Sequence, residues 1–408
     1  MRLLVMNVHY APHSFGGATI VAEQLNKHLV NVHGWQVLVF SSHIDPTVPA
    51  YSLRRYSADG CDVVSINLPT HLSYEENWRN PEVDRAVQSV LQRFQPDLVH
   101  CHAIQNMGCG YFDAIKRAAI PLVVTVHDNW WLCDRQFMIS GFGRYCYQTR
   151  IDPERCRYCV DHPHRFEDRN EYLHRQLQLA DLVLAPSVFQ RDLYRANGFA
   201  PETCISNENG VVRPGLTPAR QGRENADQVQ FGFIGGPGEI KGADVIVQAL
   251  QALGPRSDYR LLVVDAAQNV SSSWRNAADW DIPGEMEFLP AYNQDTIDEF
   301  FAQIDVLLFP SQWRESFGLT VREALARDVW VIGTGEGGIG EAIVDGENGR
   351  RLPLSRDPTF LQAALKECLQ TPQRWSSYRN PLNEKIRWFE QQAAELDTLY
   401  RELTGRVS

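Results

Sequence analysis

The chain has 408 residues, a formal net charge of −11, 44% hydrophobic and 22% charged residues. That length exceeds one ordinary hydrophobic core and sets two domains as the expectation. The composition excludes a disordered chain, and the acidic balance argues against a nucleic-acid binder.

The opening run RLLVMNV is too short for the apolar core of a signal peptide, and no run of about 18 apolar residues occurs. The expectation is a cytoplasmic protein, with peripheral contact at the inner face of the cell membrane left open. RLLVMNV, QVLVFSS, VVSINLP, LVHCH, LVVTVH and LVLAPS read as strands of a first half. FGFIGG, RLLVVDA, MEFLP, VLLFPS and VWVIGT read as strands of a second. Their hydrophobicity is continuous, and helix-length segments separate them, which predicts parallel strands buried on both faces. The fold class is therefore α/β, two doubly wound parallel-sheet units in succession. A boundary is expected within residues 198–228, rich in Gly, Pro, Asn and charge. The final stretch EKIRWFEQQAAELDTLYRELT is amphipathic at helical spacing through Ile386, Phe389, Ala393, Leu396 and Tyr400.

Open α/β sheets bind ligands beyond the carboxyl ends of their strands, and four loops qualify. APHSFGGAT follows the first strand, where Gly16 and Gly17 permit close backbone approach ahead of a helix. It matches no dinucleotide fingerprint, and a plain strand–helix turn explains it equally well. VTVHDNWW puts His127 at a strand end, a place where a histidine is as readily structural as functional. FIGGPGEIKGADVIVQAL puts Lys241 after a glycine-rich strand exit and before a helix, suited to a phosphate. Gly242 follows Lys241 where a P-loop needs a hydroxyl, so a P-loop is disfavoured. ESFGLTVRE sets Glu315 and Glu323 on either side of a glycine turn, with seven residues between them. With a helix starting near Gly318, the amides of Phe317, Gly318 and Leu319 lie between the two carboxylates. Such an arrangement spans a nucleotide-sugar from sugar to ribose. DWD at 279–281 reads as a surface loop.

Taken together, the Gly16-Gly17 loop, HGWQVLVFSS, PDLVHCH, VHDNW, LADLVLAPS, Asn209-Gly210, GGPGEIKG and the run from IDVLLFPS to GENGRRLP resemble retaining glycosyltransferases of family 4. The resemblance covers nearly the whole chain and implies the GT-B fold, two Rossmann-like domains facing across a cleft. It implies an N-terminal acceptor-side domain over 1–205, a nucleotide-sugar-binding domain over 206–382, and a terminal helix, 383–408, packing back on the first. Carried over by residue, it places Glu315 at the transferred sugar, Glu323 on the ribose, and Lys241 on the diphosphate together with the amides near Gly318 and the Gly16-Gly17 loop. His127 would contact the donor sugar. The implied donor is a UDP- or GDP-sugar, the acceptor a saccharide or lipid-linked saccharide of surface polysaccharide synthesis, and no catalytic metal is required. Two positions depart from the pattern: Gly236 stands where many members carry arginine, and Asp328 where glycine is usual. A GT-B epimerase or phosphorylase, or a non-catalytic scaffold on this fold, is the alternative.

Nine cysteines in a reducing compartment do not suggest a disulfide framework. Four of them, Cys133, Cys146, Cys156 and Cys159, lie in an insert over 133–165 with the spacing C-x12-C-x9-C-x2-C. A structural zinc held by the four thiolates is the expectation, since the insert has little core of its own in sequence. Exchange of one cysteine for His162 or His164, unligated cysteines, an iron–sulfur cluster and disulfides are the other readings.

Overall fold

A computed structural model describes residues 1–14, 16–215, 227–270 and 280–405. Part of the expected boundary segment and Asp279 of the DWD loop lie outside the described residues. The chain divides into two compact units, Met1–Gly210 with Arg387–Ser408, and Val211–Ile386.

The first unit carries β1 (Arg2–Met6), β2 (Gln36–His43), β3 (Leu53–Ala58), β4 (Cys61–Asn67), β5 (Leu98–Cys101), β6 (Leu122–Thr125), β7 (Leu182–Ala185) and β8 (Cys204–Ser206). They form one sheet in the order β3-β4-β2-β1-β5-β6-β7-β8. Leu3, Leu4, Val5 and Met6 of β1 have no exposed surface. Successive strand residues point to opposite faces, so this sheet is covered on both sides. Helix Pro81–Phe94 shows how the cover is made. Asn80 caps it by accepting from the amides of Glu82 and Val83, Pro81 starts it, and Val83, Val87, Val90 and Leu91 turn inward.

Two strands here have no counterpart in the expected set. β3 pairs antiparallel with β4 across the two-residue turn Asp59-Gly60, both at positive φ. Its sequence, LRRYSA, is largely exposed on this edge of the sheet and lacks the continuous apolar run that marks the parallel strands. β8 has three residues, too few to register as a run.

The second unit carries β9 (Val229–Ile234), β10 (Tyr259–Val264), β11 (Glu285–Leu289), β12 (Val306–Phe309), β13 (Trp330–Thr334) and β14 (Gly349–Leu352), in the order β11-β10-β9-β12-β13-β14. All the pairings are parallel. β14, GRRL, was not expected, because its two arginines are exposed. The pleat divides each strand between two cores. Leu261, Val263, Val306 and Leu308 enter one with helices Ala243–Gln251 and Pro358–Leu369, while Leu262, Val264, Leu307 and Phe309 enter the other with helix Leu319–Leu325. Each such side chain contributes about 1.5–3 kcal/mol of burial.

In both sheets the strand order reverses beside the first strand, between β1 and β5 and between β9 and β12. At such a reversal the connections diverge to opposite faces and leave a crevice at the strand ends. Lys241 follows β9 and Glu315 follows β12, so chain topology alone delivers both to the same crevice.

Helix Phe389–Leu403 closes the first unit. Gln392 accepts from the Gly210 amide at 2.8 Å and donates to Asn207 at 2.9 Å, and Trp35 donates to Asp397 at 2.7 Å. A Cβ on Gly210 would lie 2.3 Å from the Phe389 nitrogen, so the helix start needs glycine there. No helix among the described residues is long and apolar enough to cross a membrane.

Candidate active site

In the second unit the exit of β9 is built from glycine for steric reasons. Gly242 has φ +77 and a Cβ there would meet the Pro310 carbonyl at 2.2 Å. The turn ahead of it sets Lys241 across the crevice. Its Nζ lies 2.6 Å from Glu315 Oε1, and the Ser311 hydroxyl donates to the same oxygen at 2.9 Å. The ammonium also sits 5.6 Å from the ring centroids of Phe309 and Trp313, a partly desolvated setting that strengthens its field. The Glu315 side chain is 9% exposed, that of Lys241 29%. Gly236 has φ +78. An arginine on this left-handed backbone would be strained.

The turn between the glutamates is clamped from outside. Gly318 has φ +79, and a Cβ there would lie 2.6 Å from Ile339. Gly337 and Gly338 press against the Glu315 and Ser316 carbonyls, where a Cβ would come within 2.7 and 2.4 Å. The Gly338 amide donates to the Glu315 carbonyl at 2.7 Å. Buried Arg322 stacks on Phe317 at 3.7 Å and donates to the carbonyls of Phe317 and, at 3.2 Å, Gly338. Neither Arg322 nor Ser311 was among the expected site residues; the glycines of GGIG were visible in sequence, but not what they press against. Leu319 begins the helix that presents Glu323. Glu323 is 3% exposed, within reach of Gln294 Nε2 at 3.4 Å. Burial raises its carboxyl to about 7, against the opposing pull of Arg327.

In the first unit Gly16 stands ahead of helix Gly17–Asn31 with φ +81 and open space around it, so the backbone angle rather than room requires glycine. Asn7, fully buried at the end of β1, accepts from the Ala103 amide at 3.1 Å and so ties the Gly16-Gly17 loop's strand to the end of β5. His127 follows β6 at hydrogen-bond distance from His102, 2.9 Å between ring nitrogens. Burial lowers His127 to about 3 and leaves it neutral. Its neighbour Asp128 accepts from Gln105 at 2.9 Å, Gln136 at 2.6 Å and the Trp130 amide at 2.8 Å.

Residues 15–212 match the model of Glycosyltransferase Family 4, and residues 218–388 match that of Glycosyl transferases group 1. The chain belongs to glycosyltransferase family 4. Its two parallel-sheet units are those of the GT-B fold. It is 32% identical over 187 residues to a D-inositol 3-phosphate glycosyltransferase of Rhodococcus opacus, a match covering 41% of this chain and 42% of that one. The match thus spans about two fifths of that relative's length. Among solved structures, sucrose-phosphate synthase from Thermosynechococcus elongatus superposes with a TM-score of 0.73 at 18% identity over 100% of both chains. The Anabaena protein HepE, in complex with UDP and glucose, does so with 0.64 at 16% identity over 97% of each.

The family 4 chain does not support the expected zinc. Among the described residues no group of three or more His, Cys, Asp or Glu side chains could hold a metal ion. Cys133, Cys146, Cys156 and Cys159 are in no disulfide. Burial pushes the Cys133 thiol to about 12 and that of Cys156 to about 11. Gln148 donates to Cys146 at 3.3 Å and reaches Cys156 at 3.8 Å. His162 packs on Tyr74 with 4.3 Å between ring centroids. Met138, Tyr145 and Cys156 are buried within the insert, and Trp130, Trp131 and Leu132 are buried immediately ahead of it. Arg169, 2% exposed, pairs with Asp134 at 3.1 Å and donates to the Trp130 carbonyl at 2.7 Å. A buried ion pair and aromatic packing hold this segment.

Proposed function

We propose that this family 4 protein is a retaining transferase that moves a sugar from a nucleotide-diphosphate sugar to a saccharide or lipid-linked acceptor. The observation that carries the reading is the Lys241–Glu315 pair at 2.6 Å, with Glu323 beyond the Gly318 turn. A cation and a carboxylate in contact fit adjoining parts of one ligand: the diphosphate that departs and the anomeric carbon that turns positive. In the proposed step the bond from that carbon to the diphosphate oxygen breaks. The acceptor oxygen bonds to the same face, and its proton passes to the departing oxygen. Lys241 meets the charge on the diphosphate, aided by the amides of Phe317, Gly318 and Leu319, and the family resemblance assigns the Gly16-Gly17 loop to the same group. Glu315 steadies the sugar, and Glu323 accepts from the ribose hydroxyls. His127 is assigned to the donor sugar by the family resemblance. HepE, solved with UDP and glucose, supports a UDP-sugar as the first donor to test. A cytoplasmic site of action and a part in surface polysaccharide synthesis belong to the same reading.

The test is a thermal-shift screen over UDP-, GDP-, ADP- and dTDP-sugars, followed by NMR of the released or transferred sugar. A true donor at 100 times its Kd stabilises the fold by about 2.7 kcal/mol. The first-formed product should keep the anomeric configuration of the donor. An inverted product, or no stabilisation by any nucleotide-sugar, would refute the reading.

A further inference from the structure

The first unit buries two histidines behind His127. His102, 3% exposed at the end of β5, has its Nδ1 2.9 Å from His127 Nε2, with the two rings stacked at 22°. His100, 1% exposed, lies 4.0 Å from His102 between ring centroids. It is held at both nitrogens, Nδ1 by the Tyr400 hydroxyl at 2.6 Å and Nε2 by the Thr125 hydroxyl at 2.8 Å. Tyr400 is itself fully buried, edge-on to Trp35 at 5.5 Å. A continuous chain of contacts therefore runs from the terminal helix through β5 to the loop after β6.

Burial keeps all three imidazoles below the ordinary histidine range, so each is neutral near pH 7. A neutral imidazole has one N–H and one bare nitrogen. Contact between two ring nitrogens then needs the proton on one side only. If His102 donates from Nδ1, His127 must carry its proton on Nδ1; if His102 accepts, His127 carries it on Nε2. The two tautomers are locked together, and the outer nitrogen of His127 changes from donor to acceptor with them.

We propose that His102 is a positioning residue that sets the ring plane and tautomer of His127, with His100, Thr125 and Tyr400 holding the His102 ring in place. The kinetic consequence rests on the assignment of His127 to the donor sugar; the structural one does not.

The experiment uses full-length protein labelled with 15N-histidine, in which ring-nitrogen NMR reads the tautomer of His127 directly. Its signals are identified by their absence in His127→Gln. Two substitutions separate bond from packing. His102→Asn offers an amide near the Nδ1 position and can keep the bond; His102→Phe keeps a stacked ring and removes it. Wild type and His102→Asn should show one His127 tautomer, and His102→Phe a mixture. In His102→Phe, kcat for donor turnover should fall about tenfold or more, as a misassigned imidazole tautomer does elsewhere. KM should change little, and His102→Asn should recover most of the loss. His127 signals in His102→Phe identical to wild type would overturn the proposal, as would recovery by neither ring nor amide while the tautomer stays fixed. Should His102→Phe fail to fold, Tyr400→Phe removes only the hydroxyl at the far end of the chain, and unchanged His127 signals there would overturn it. A shifted tautomer in protein that turns over no nucleotide-sugar, wild type included, leaves the positioning role standing and refutes the proposed function instead.

Discussion

Glu323→Gln tests the ribose assignment through pH. The Glu323 carboxyl is raised from 4.5 to about 7 by burial. Its folded value lies above its unfolded one, so the protonated form is favoured by folding. Stability from this group is full below about pH 4.5 and is lost as pH rises through about 7. The loss across that window is about 3 kcal/mol at 1.36 kcal/mol per pH unit. A ribose diol needs two acceptor oxygens, which the ionised carboxylate supplies and the acid does not. Affinity for a nucleotide-sugar should therefore be constant above pH 7 and fall about tenfold per unit below it, roughly 100-fold by pH 5. A UDP-sugar is a suitable probe, because its diphosphate is a diester without a proton to lose in this range. Calorimetric titration from pH 5 to 8 measures the wild-type slope. Glu323→Gln should bind weakly and independently of pH. Without ligand at pH 8 it should be more stable than wild type in urea by up to about 3 kcal/mol, since it removes the cost of the buried charge. A flat wild-type affinity between pH 5 and 8, or a variant less stable than wild type at pH 8, would refute both the burial argument and the ribose assignment.

Lys241→Ala should lower turnover by about tenfold or more and leave Glu315 without its cation, while brief chelation should not change activity; steady-state rates with and without chelator check both. Gly236→Arg, which installs the residue common in this family, should destabilise by about 1–2 kcal/mol because the backbone there is left-handed, and a urea melt reads it. Arg169→Ala should cost up to about 3 kcal/mol by removing a buried side chain and leaving the half-buried Asp134 without its cation, and should open residues 133–165 to protease. Cys156→Ser with Cys159→Ser should leave that segment resistant, and elemental analysis of wild type should find no stoichiometric zinc.

The parallel strands were legible because burial on both faces writes an unbroken apolar run, as in RLLVM. β3, β8 and β14 were not, because edge position and brevity remove that mark. Lys241, Glu315 and Glu323 could be singled out from glycine turns and spacing. That Lys241 and Glu315 touch could not, since 74 positions separate them and only the β9–β12 reversal joins them. His100 and His102 were visible as HCH at a strand end, but histidine there reads equally as core. Asp328, which stands where glycine is usual, holds φ +58, a backbone that favours glycine. Its carboxylate offsets that strain by accepting from the Asn380 amide at 2.9 Å. The cysteine spacing misled because the contacts of this segment, such as Arg169 with Asp134 and the Trp130 carbonyl, come from a helix whose inward face sequence alone does not reveal.

The return of helix Phe389–Leu403 to the first unit has a consequence for synthesis. Domains ordinarily fold in the order in which they leave the ribosome, at about 5–20 residues per second. Here the 176 residues of Val211–Ile386 separate the two parts of the first unit, an interval of roughly 10–35 s. During it Trp35 has no Asp397 and His100 no Tyr400, so the nascent sheet waits with an apolar flank uncovered. The unit that begins second is the first to be complete, and the one that begins first is finished by helix Phe389–Leu403.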